Sequence, residues 1–247
     1  MIKENEILSN SKIIGLTLLL EKEKILVLGD LHLGFEESLN NDGILIPRFN
    51  YKELEKHLRK VFKKTMKLEK IIIIGDLKHE FGRISEQEWS EVLDLIELLS
   101  SKAKELILIQ GNHDIILGPI TNYRKLKLVE EYFLPEKKLL FLHGHKLEKS
   151  ENYKKAKTII IGHEHPAVVL KDGVKREKYK CFLKGKFEGK ELIVLPSLNF
   201  VSEGTNVLNE KLLSPFLKEL NLASFTAWIV MEGKVFYFEK LEDITNN

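Results

Sequence analysis

Cysteine is almost absent from the 247-residue sequence, in which Cys181 is the single example. One cysteine excludes an internal disulfide and a zinc cluster held by several thiolates. A metal bound by this chain would therefore need nitrogen and oxygen ligands. Cys181 itself lies in a predicted strand, where packing explains it better than nucleophilic catalysis.

Long apolar runs and processing signals are also missing. No apolar stretch reaches the roughly 18 to 20 residues that span a bilayer. The opening MIKENEILSNSK lacks the apolar segment and cleavage site of a signal peptide. We therefore expect a cytoplasmic protein without membrane contact. The hydrophobic fraction of 43% and the charged fraction of 31% predict one globular domain over residues 1–247.

Neither a strong charge bias nor a common nucleotide motif is present. The formal net charge is +2, and the pI of about 8.4 lies below the value of roughly 9 that marks a dedicated nucleic-acid binder. The sequence contains no G-x-S-x-G elbow, no G-x-x-x-x-G-K-[ST] phosphate loop and no glycine-rich dinucleotide fingerprint. These absences disfavour serine-hydrolase, P-loop and dinucleotide-binding chemistry.

What recurs instead is a predicted strand that ends in polar, metal-competent side chains. The strands and the residues after them are ILVLG (25–29) with Asp30 and His32, IIIIG (71–75) with Asp76, LILIQG (106–111) with Asn112, KLLFL (138–142) with His143, and TIIIG (158–162) with His163 and His165. Unbroken β-branched runs are typical of strands buried on both faces. Ligands of open α/β sheets bind at the carboxyl ends of strands, so we expect these side chains to converge.

Helical patterns lie between the strands and predict an α/β fold with partly parallel sheets. The segment 51–67 carries apolar residues on one face (Leu54, Leu58, Val61 and Phe62). Ser85 and Glu88 form a capping-box signature, followed by a predicted buried face of Trp89, Val92, Leu93, Ile96 and Leu99. A strand is predicted over 13–20, and hairpins are predicted over 179–196 and 224–239, turning at Glu188-Gly189 and Glu232-Gly233. We expect two sheets that face each other.

The side chains at the strand ends are imidazoles, carboxylates and one carboxamide, which suit borderline to hard divalent ions. They are too many for one metal and suit two metals about 3.5 to 4 Å apart that share a carboxylate. Alone, Asp30 is explained by helix capping, Asn112 by a turn and Asp114 by a backbone hydrogen bond. Together the residues favour a metal site, because seven of the eight histidines lie at or just after the strand ends. Only His57 lies apart, on the surface of the first predicted helix.

Taken in order, these motifs resemble a known family. Asp30-x-His32, Gly75-Asp76, Gly111-Asn112-His113-Asp114, His143 and Gly162-His163-x-His165 match the signature of the calcineurin-like metallophosphoesterases. The contexts GDLHLGFEESL and GDLKHEFG are similar to those of archaeal SbcD/Mre-related phosphoesterases and of bacterial repair endonucleases associated with DNA ligase. The resemblance covers residues 30 to 165 and implies a four-layer α/β/β/α sandwich with two facing mixed sheets.

The resemblance also implies a set of ligands and a mechanism. One divalent cation would be held by Asp30, His32 and His165, and a second by Asn112, His143 and His163, with Asp76 shared between them. Mn²⁺ is the favoured ion, and Fe, Zn, Ni and Co are the alternatives. A hydroxide shared by the metals would attack phosphorus in line. His113 would contact the phosphate or protonate the leaving oxygen, and Asp114 would orient the His113 ring.

Residues around these motifs have weaker assignments. His79 matches the histidine of the Gly-Asp-x-x-His motif in the repair nucleases, which implies that it positions the scissile phosphate; a loop histidine facing water is the alternative. Lys78, Glu80 and Arg83 share its loop and are candidates for nucleotide contact. His145 is expected beside the metals rather than as a ligand. The segment 196–200 is either a site loop or an ordinary turn, and the turn is slightly favoured.

The function implied is hydrolysis of phosphodiester bonds in nucleic acid or nucleotides, with single-stranded DNA as the first polymer to test. A phosphomonoesterase or cyclic-nucleotide phosphodiesterase acting on a small substrate is the alternative within enzymes. A catalytically silent interaction scaffold is the alternative of another class, disfavoured because all the motif residues are present. The segment after His165 leaves little room for a DNA-gripping cap. Protein partners and a homodimer are left open.

Overall fold

Two β-sheets face each other in the computed structural model, which describes residues 4–81, 84–115, 117 and 126–245. The first sheet has six strands among these residues, in the order β1 (Ser11–Ile14), β2 (Thr17–Leu20), β3 (Ile25–Leu28), β4 (Leu68–Ile74), β5 (Ala103–Ile109) and β6 (Leu126–Val129). β3 to β6 run parallel, and β1 and β2 add an antiparallel edge.

The second sheet has the strand order β13-β10-β11-β12-β9-β8-β7, and β14 and β15 extend it through β11. Its strands are β7 (Glu131–Leu134), β8 (Leu139–Leu142), β9 (Thr158–Ile161), β10 (Pro166–Asp172), β11 (Lys175–Phe187), β12 (Lys190–Val194), β13 (Thr205–Asn206), β14 (Thr226–Met231) and β15 (Lys234–Phe238). β8, β9 and β12 are parallel neighbours. Both sheets are therefore mixed, as expected.

Helices cover the outer faces of the two sheets. They are α1 (Phe35–Asn41), α2 (Asn50–Phe62), α3 (Glu86–Ser100), α4 (Glu151–Lys155) and α5 (Glu242–Thr245), with a 3₁₀ turn at Leu222–Ser224. α2 and α3 cross over between the parallel strands β3, β4 and β5 and pack on the first sheet. The second sheet is covered by α4, α5 and turns that bury Phe216 and Leu217. This arrangement confirms the four-layer sandwich. No helix in the described parts of the chain has the length and apolarity to cross a bilayer.

The alternation of side chains along the strands explains why the apolar runs are unbroken. In β4, Ile71 and Ile73 face the helices while Ile72 and Ile74 face the opposite sheet. In β9, Ile160 packs between the sheets. Successive side chains of a strand point to opposite faces, so a strand covered on both faces needs apolar residues at every position. Each fully buried isoleucine contributes about 1.5 to 3 kcal/mol.

Two hairpins and the capping box appear where the sequence predicts them. The turns at Glu188-Gly189 and Glu232-Gly233 have positive φ at both residues, with 48° and 78° in the first and 51° and 77° in the second. That geometry matches the twist of the flanking antiparallel strands. At α3, the Ser85 side chain accepts from the Glu88 backbone N–H, and the Glu88 carboxylate accepts from the Ser85 N–H.

Three local predictions are wrong. The strand expected over 13–20 is a hairpin of β1 and β2, because Gly15 adopts a φ of 58° and reverses the chain. The first long helix ends at Phe62 rather than 67, since no apolar residue continues its buried face before Leu68 enters β4. Trp89 is 36% exposed; the buried residues of α3 start at Gln87 and include Leu95 in place of Leu93.

Replacing Ile160 by alanine should reveal the strength of the packing between the sheets. Ile160 is fully buried there, so Ile160→Ala is expected to lower the free energy of unfolding by about 2 to 5 kcal/mol through lost burial and a cavity. Urea denaturation measures this. Val174, an exposed turn residue, is the matched control, and Val174→Ala should change stability by no more than about 0.5 kcal/mol. Equal effects of the two changes would contradict the packing described.

Candidate metal centre

The seven predicted ligands meet at one edge of the sandwich. Parallel strands place their carboxyl ends at the same edge of a sheet, and the two facing sheets bring both sets of ends together. The contributing strands and residues are β3 (Asp30 and His32), β4 (Asp76), β5 (Asn112), β8 (His143) and β9 (His163 and His165). Residues up to 135 positions apart in the sequence, Asp30 and His165, are thereby in contact.

Asp30, His32 and His165 form the first trio of this centre. Their ligand atoms all lie within 4.8 Å of one another. His165 Nε2 is 3.4 Å from Asp30 Oδ1 and 3.3 Å from His32 Nε2. Two imidazole nitrogens and a carboxylate oxygen that converge on one point match the donor set of a divalent transition metal.

Asp76, His143 and His163 form the second trio, again with ligand atoms within 4.8 Å of one another. Asn112 joins this trio, because its Oδ1 is 3.1 Å from His143 Nε2. Asp76 Oδ2 is 3.3 Å from His143 Nε2 and 3.6 Å from His32 Nε2. Asp76 therefore belongs to the second trio and also approaches the first through His32, so its carboxylate could serve both.

The hydrogen bonding of His143 determines which of its nitrogens faces the centre. Its Nδ1 is 3.2 Å from the carbonyl oxygen of Ile74. A carbonyl only accepts, so Nδ1 carries a proton, and Nε2 is the nitrogen that faces the acceptor oxygens of Asp76 and Asn112 and that a metal would bind. A backbone carbonyl behind the ring is the usual way to orient a histidine that binds metal.

Buried negative charge would favour a cation at this centre. Asp30 and Asp76 are 0% and 1% exposed, and neither has a lysine or arginine within salt-bridge distance among the residues described. Burial raises the pKa of Asp76, but the hydrogen bond from His143 and the surrounding histidines outweigh it and leave the pKa lowered. Burial lowers the pKa of His143, but Asp76 and Asp30 raise it to about 9. The donor set therefore fits divalent cations, which would replace the histidine proton as countercharge.

Four of the predicted ligands have backbone conformations that side chains rarely adopt. His32, Asp76, His163 and His165 have φ values of 45°, 41°, 63° and 52°. Left-handed backbone at a residue other than glycine costs about 1 kcal/mol or more and concentrates at functional sites. The sequence contains no signal of this strain beyond the strand-end position of each residue.

Two glycines beside the ligands leave space for the buried carboxylates. A Cβ at Gly111 would lie 2.1 Å from Asp76 Oδ1, and a Cβ at Gly162 would lie 2.5 Å from Asp30 Oδ2. Neither glycine needs a positive φ, so close approach of the buried carboxylates accounts for them. The glycines that precede Asn112 and His163 are therefore explained by the short distance between the backbone and the buried carboxylates.

The structure corrects the predicted role of Asp114. Its carboxylate accepts hydrogen bonds from the backbone N–H groups of Leu77 and Gly111, each 3.0 Å long. The His113 ring is oriented by another group, since its Nδ1 donates to the carbonyl oxygen of His79. The His113 Nε2 is 4.0 Å from Asp76 Oδ2. Asp114 therefore joins the loops after β4 and β5.

His79 lies against the first trio instead of facing water. Its Nδ1 is 3.4 Å from Nδ1 of His32, and its ring stacks on Phe35 at a centroid distance of 4.1 Å. Phe81 lies beside it, half exposed, with its ring centroid 3.7 Å from that of His113. The His79 loop therefore presents an aromatic side chain at the rim of the centre.

The other residues of this loop differ from expectation. Lys78 is completely buried, so it cannot contact a nucleotide. The N–H groups of His79 and Glu80 donate to Glu88 Oε1 at 3.1 and 2.8 Å. Glu88, the capping-box glutamate, thus also holds the loop, which capping analysis alone does not reveal. Arg83 lies outside the described residues.

The loop 196–200 contacts the backbone of a predicted metal ligand. The N–H of Leu198 donates to the carbonyl oxygen of Asp30 at 2.7 Å, so this segment is a supporting loop and not an isolated turn. Lys180, which sequence reasoning missed, donates to Ser197 Oγ at 3.0 Å and to the Asn199 carbonyl. His145 lies beside the second trio, with its ring centroid 5.1 Å from that of His143.

Substituting Gly111 should disturb the centre without unfolding the protein. In Gly111→Ala the new methyl group would clash with Asp76, so we expect at least about tenfold weaker Mn²⁺ binding, consistent with changes around metal ligands. Calorimetric titration measures the affinity, and thermal unfolding checks the fold. Gly185→Ala is the control, because Gly185 also lacks a positive φ and a Cβ there would meet the Phe225 ring at 2.3 Å, away from the metal centre. Unchanged affinity in Gly111→Ala would refute the clearance argument.

Comparisons with known proteins identify the family of this chain. The family model described as calcineurin-like phosphoesterase matches residues 23–225. The crystal structure of Pseudomonas putida nuclease MPE has a TM-score of 0.65 at 16% identity and covers 92% of this chain and 94% of that one. Zn²⁺-bound Vps29 from Entamoeba histolytica is similar at a TM-score of 0.36 and 15% identity, over 87% of this chain and 96% of that one. No curated protein matches significantly. On the match over residues 23–225, the chain belongs to the calcineurin-like phosphoesterase family.

Proposed function

We propose that this phosphoesterase hydrolyses phosphodiester bonds in nucleic acid or nucleotides with the help of two divalent cations, of which Mn²⁺ is favoured. The observation that carries the proposal is that the Asp76 carboxylate contacts both trios: its Oδ2 lies 3.3 Å from Nε2 of His143 in the second trio and 3.6 Å from Nε2 of His32 in the first. A carboxylate shared in this way is the arrangement of two-metal phosphoesterase sites.

The residues divide into two holding groups. Asp30, His32 and His165 would hold one cation, and His143, His163 and Asn112 the other, with Asp76 serving both. When bound, the cations neutralise phosphoryl oxygens and lower the pKa of a water molecule at the centre. The buried carboxylates and the strained backbone hold the donors in place before substrate arrives, which reduces reorganisation during the reaction.

His113 is the proposed proton donor or phosphate contact. Because its Nδ1 donates to the His79 carbonyl, its Nε2 is the nitrogen available to a substrate oxygen. With Nδ1 protonated, Nε2 of the neutral ring is an acceptor, so the imidazolium form of His113 is the form that could donate to a phosphate oxygen or transfer a proton to the leaving oxygen. His79, in contact with His32 and stacked on Phe35, would position the first trio.

The preference for nucleic acid rests on Phe81. A half-exposed aromatic ring beside His113 offers a stacking surface for a nucleobase next to the scissile phosphate. The similarity in fold to a nuclease is consistent with this preference. A small phosphomonoester would have less use for such a surface.

Hydrolysis of bis(p-nitrophenyl) phosphate with added Mn²⁺ tests the reaction. Asp76→Asn removes the shared carboxylate charge and His113→Ala removes the donor, so each is expected to reduce kcat by about 10²-fold or more. Asp94→Asn, an exposed carboxylate on α3, is the control and should retain wild-type rates. Full activity in both site variants, with circular dichroism unchanged, would exclude the mechanism. A matched assay of p-nitrophenyl phosphate determines the preference between mono- and diesters.

Phe81→Ala tests the nucleic-acid preference. Loss of one stacking contact is worth about 1 to 3 kcal/mol, so KM for a single-stranded oligonucleotide should rise about fivefold or more. Hydrolysis of bis(p-nitrophenyl) phosphate should change little, because that substrate lacks a base. Phe236→Ala, another partly exposed phenylalanine, on β15, is the control. Equal losses on both substrates would mean that Phe81 acts by positioning His113 and not by stacking.

A further inference from the structure

A cavity of about 570 Å³ lies apart from the metal centre. It is open to solvent and is lined by α2, the turn between β1 and β2, β11, the turn between β14 and β15, and the loop that follows residue 199. None of the predicted metal ligands lines it, and neither do His79 and His113. Its volume falls in the range of about 300 to 1,000 Å³ typical of small-molecule sites.

The floor of the cavity is apolar and aromatic. Ile14, Leu16 and Val61 are buried there, and Phe200 and Val230 are partly exposed to the cavity. The Phe200 backbone is fixed, because its N–H donates to Asn50 Oδ1 at 2.7 Å. Such a floor favours a ligand with an apolar or aromatic body over a bare inorganic ion.

His57 lines the same cavity, which corrects its expected place on the outer surface of the first helix. The Leu16 N–H donates to His57 Nε2 at 3.2 Å, so Nδ1 carries the proton of the neutral ring. Burial, with contributions from Lys60 and Lys180, lowers the pKa of His57 to about 4. The ring is therefore a neutral hydrogen-bond donor near pH 7, with one nitrogen already engaged.

Positive charge exceeds negative charge in the cavity wall. The lysines are Lys56, Lys60, Lys64, Lys178 and Lys180, and the acids are Glu53, Glu203 and Glu232. Lys56 pairs with Glu53, and Lys178 pairs with Glu210. Lys60 and Lys64 are exposed and have no carboxylate within salt-bridge distance in the described ranges. These two ammonium groups, four residues apart, are free to bind an anionic group.

We propose that this cavity binds a small organic phosphate of nucleotide size, with its aromatic body on the Phe200 floor and its phosphate at Lys60 and Lys64. The apolar floor provides burial for the ring, His57 adds a hydrogen-bond donor, and the two lysines provide charge-assisted bonds to the phosphate. A polymer is a poorer fit, because the cavity is bounded on several sides. The proposal is independent of the reaction at the metal centre.

Calorimetric titration of the full-length protein in EDTA, with AMP as the probe, tests the site. We expect saturable binding of AMP, and binding of adenosine and of inorganic phosphate at least about tenfold weaker, because each lacks one part of the recognised structure. Lys60→Glu combined with Lys64→Glu should weaken AMP binding at least about tenfold, the cost of losing charge-assisted hydrogen bonds. Lys63→Glu with Lys67→Glu makes the same change in charge outside the cavity wall, and its affinity should stay within about twofold of wild type.

The Asp76→Asn variant distinguishes AMP binding in the cavity from AMP binding at the metal centre. AMP binding that persists in this variant and is lost in the Lys60 and Lys64 variant supports the proposal. Binding that is lost in Asp76→Asn would assign AMP to the metal centre and overturn it. No saturable binding into the millimolar range, or equal weakening in the two lysine pairs, would overturn it as well.

Discussion

Two buried carboxylates without a fixed cationic partner determine how this edge of the protein is built. Asp30 and Asp76 are fully buried at strand ends, and their neighbours are histidines instead of lysines or arginines among the residues described. Burying a charge is costly unless it is paired, so the pair must share histidine protons or bind cations. The ring orientations, the glycines and the backbone conformations around them all serve this one requirement.

The backbone around the two carboxylates is destabilising, and the packing of the strands behind them compensates for it. The left-handed backbone at His32, Asp76, His163 and His165 is unfavourable. It is held by hydrogen bonds from backbone N–H groups to the carboxylates, including those from His163 to Asp30 and from His113 to Asp76. Burial of the isoleucine strands on both faces stabilises the fold and offsets the free-energy cost of this centre.

Sequence reasoning recovered the five strands that carry the centre and predicted the set of residues that meet, because buried strands and strand-end residues have strong local patterns. It was wrong where a role depends on which neighbour a side chain contacts. Asp114 has the right position but binds the backbone of Leu77 and Gly111. Lys78 is buried beneath its loop. Neither outcome can be read from residue type and spacing, because both depend on the packing of distant segments.

Hydrophobic periodicity was enough to predict two facing sheets, and motif order was enough to identify the family and the residues that gather at the strand ends, because both are local properties of the chain. The shared position of Asp76, the orientation of His113 by the His79 carbonyl, and the place of His57 in a lysine-lined cavity are visible only in the folded chain. The physical reason is that distances and burial arise where segments remote in sequence pack together, and no single segment contains them.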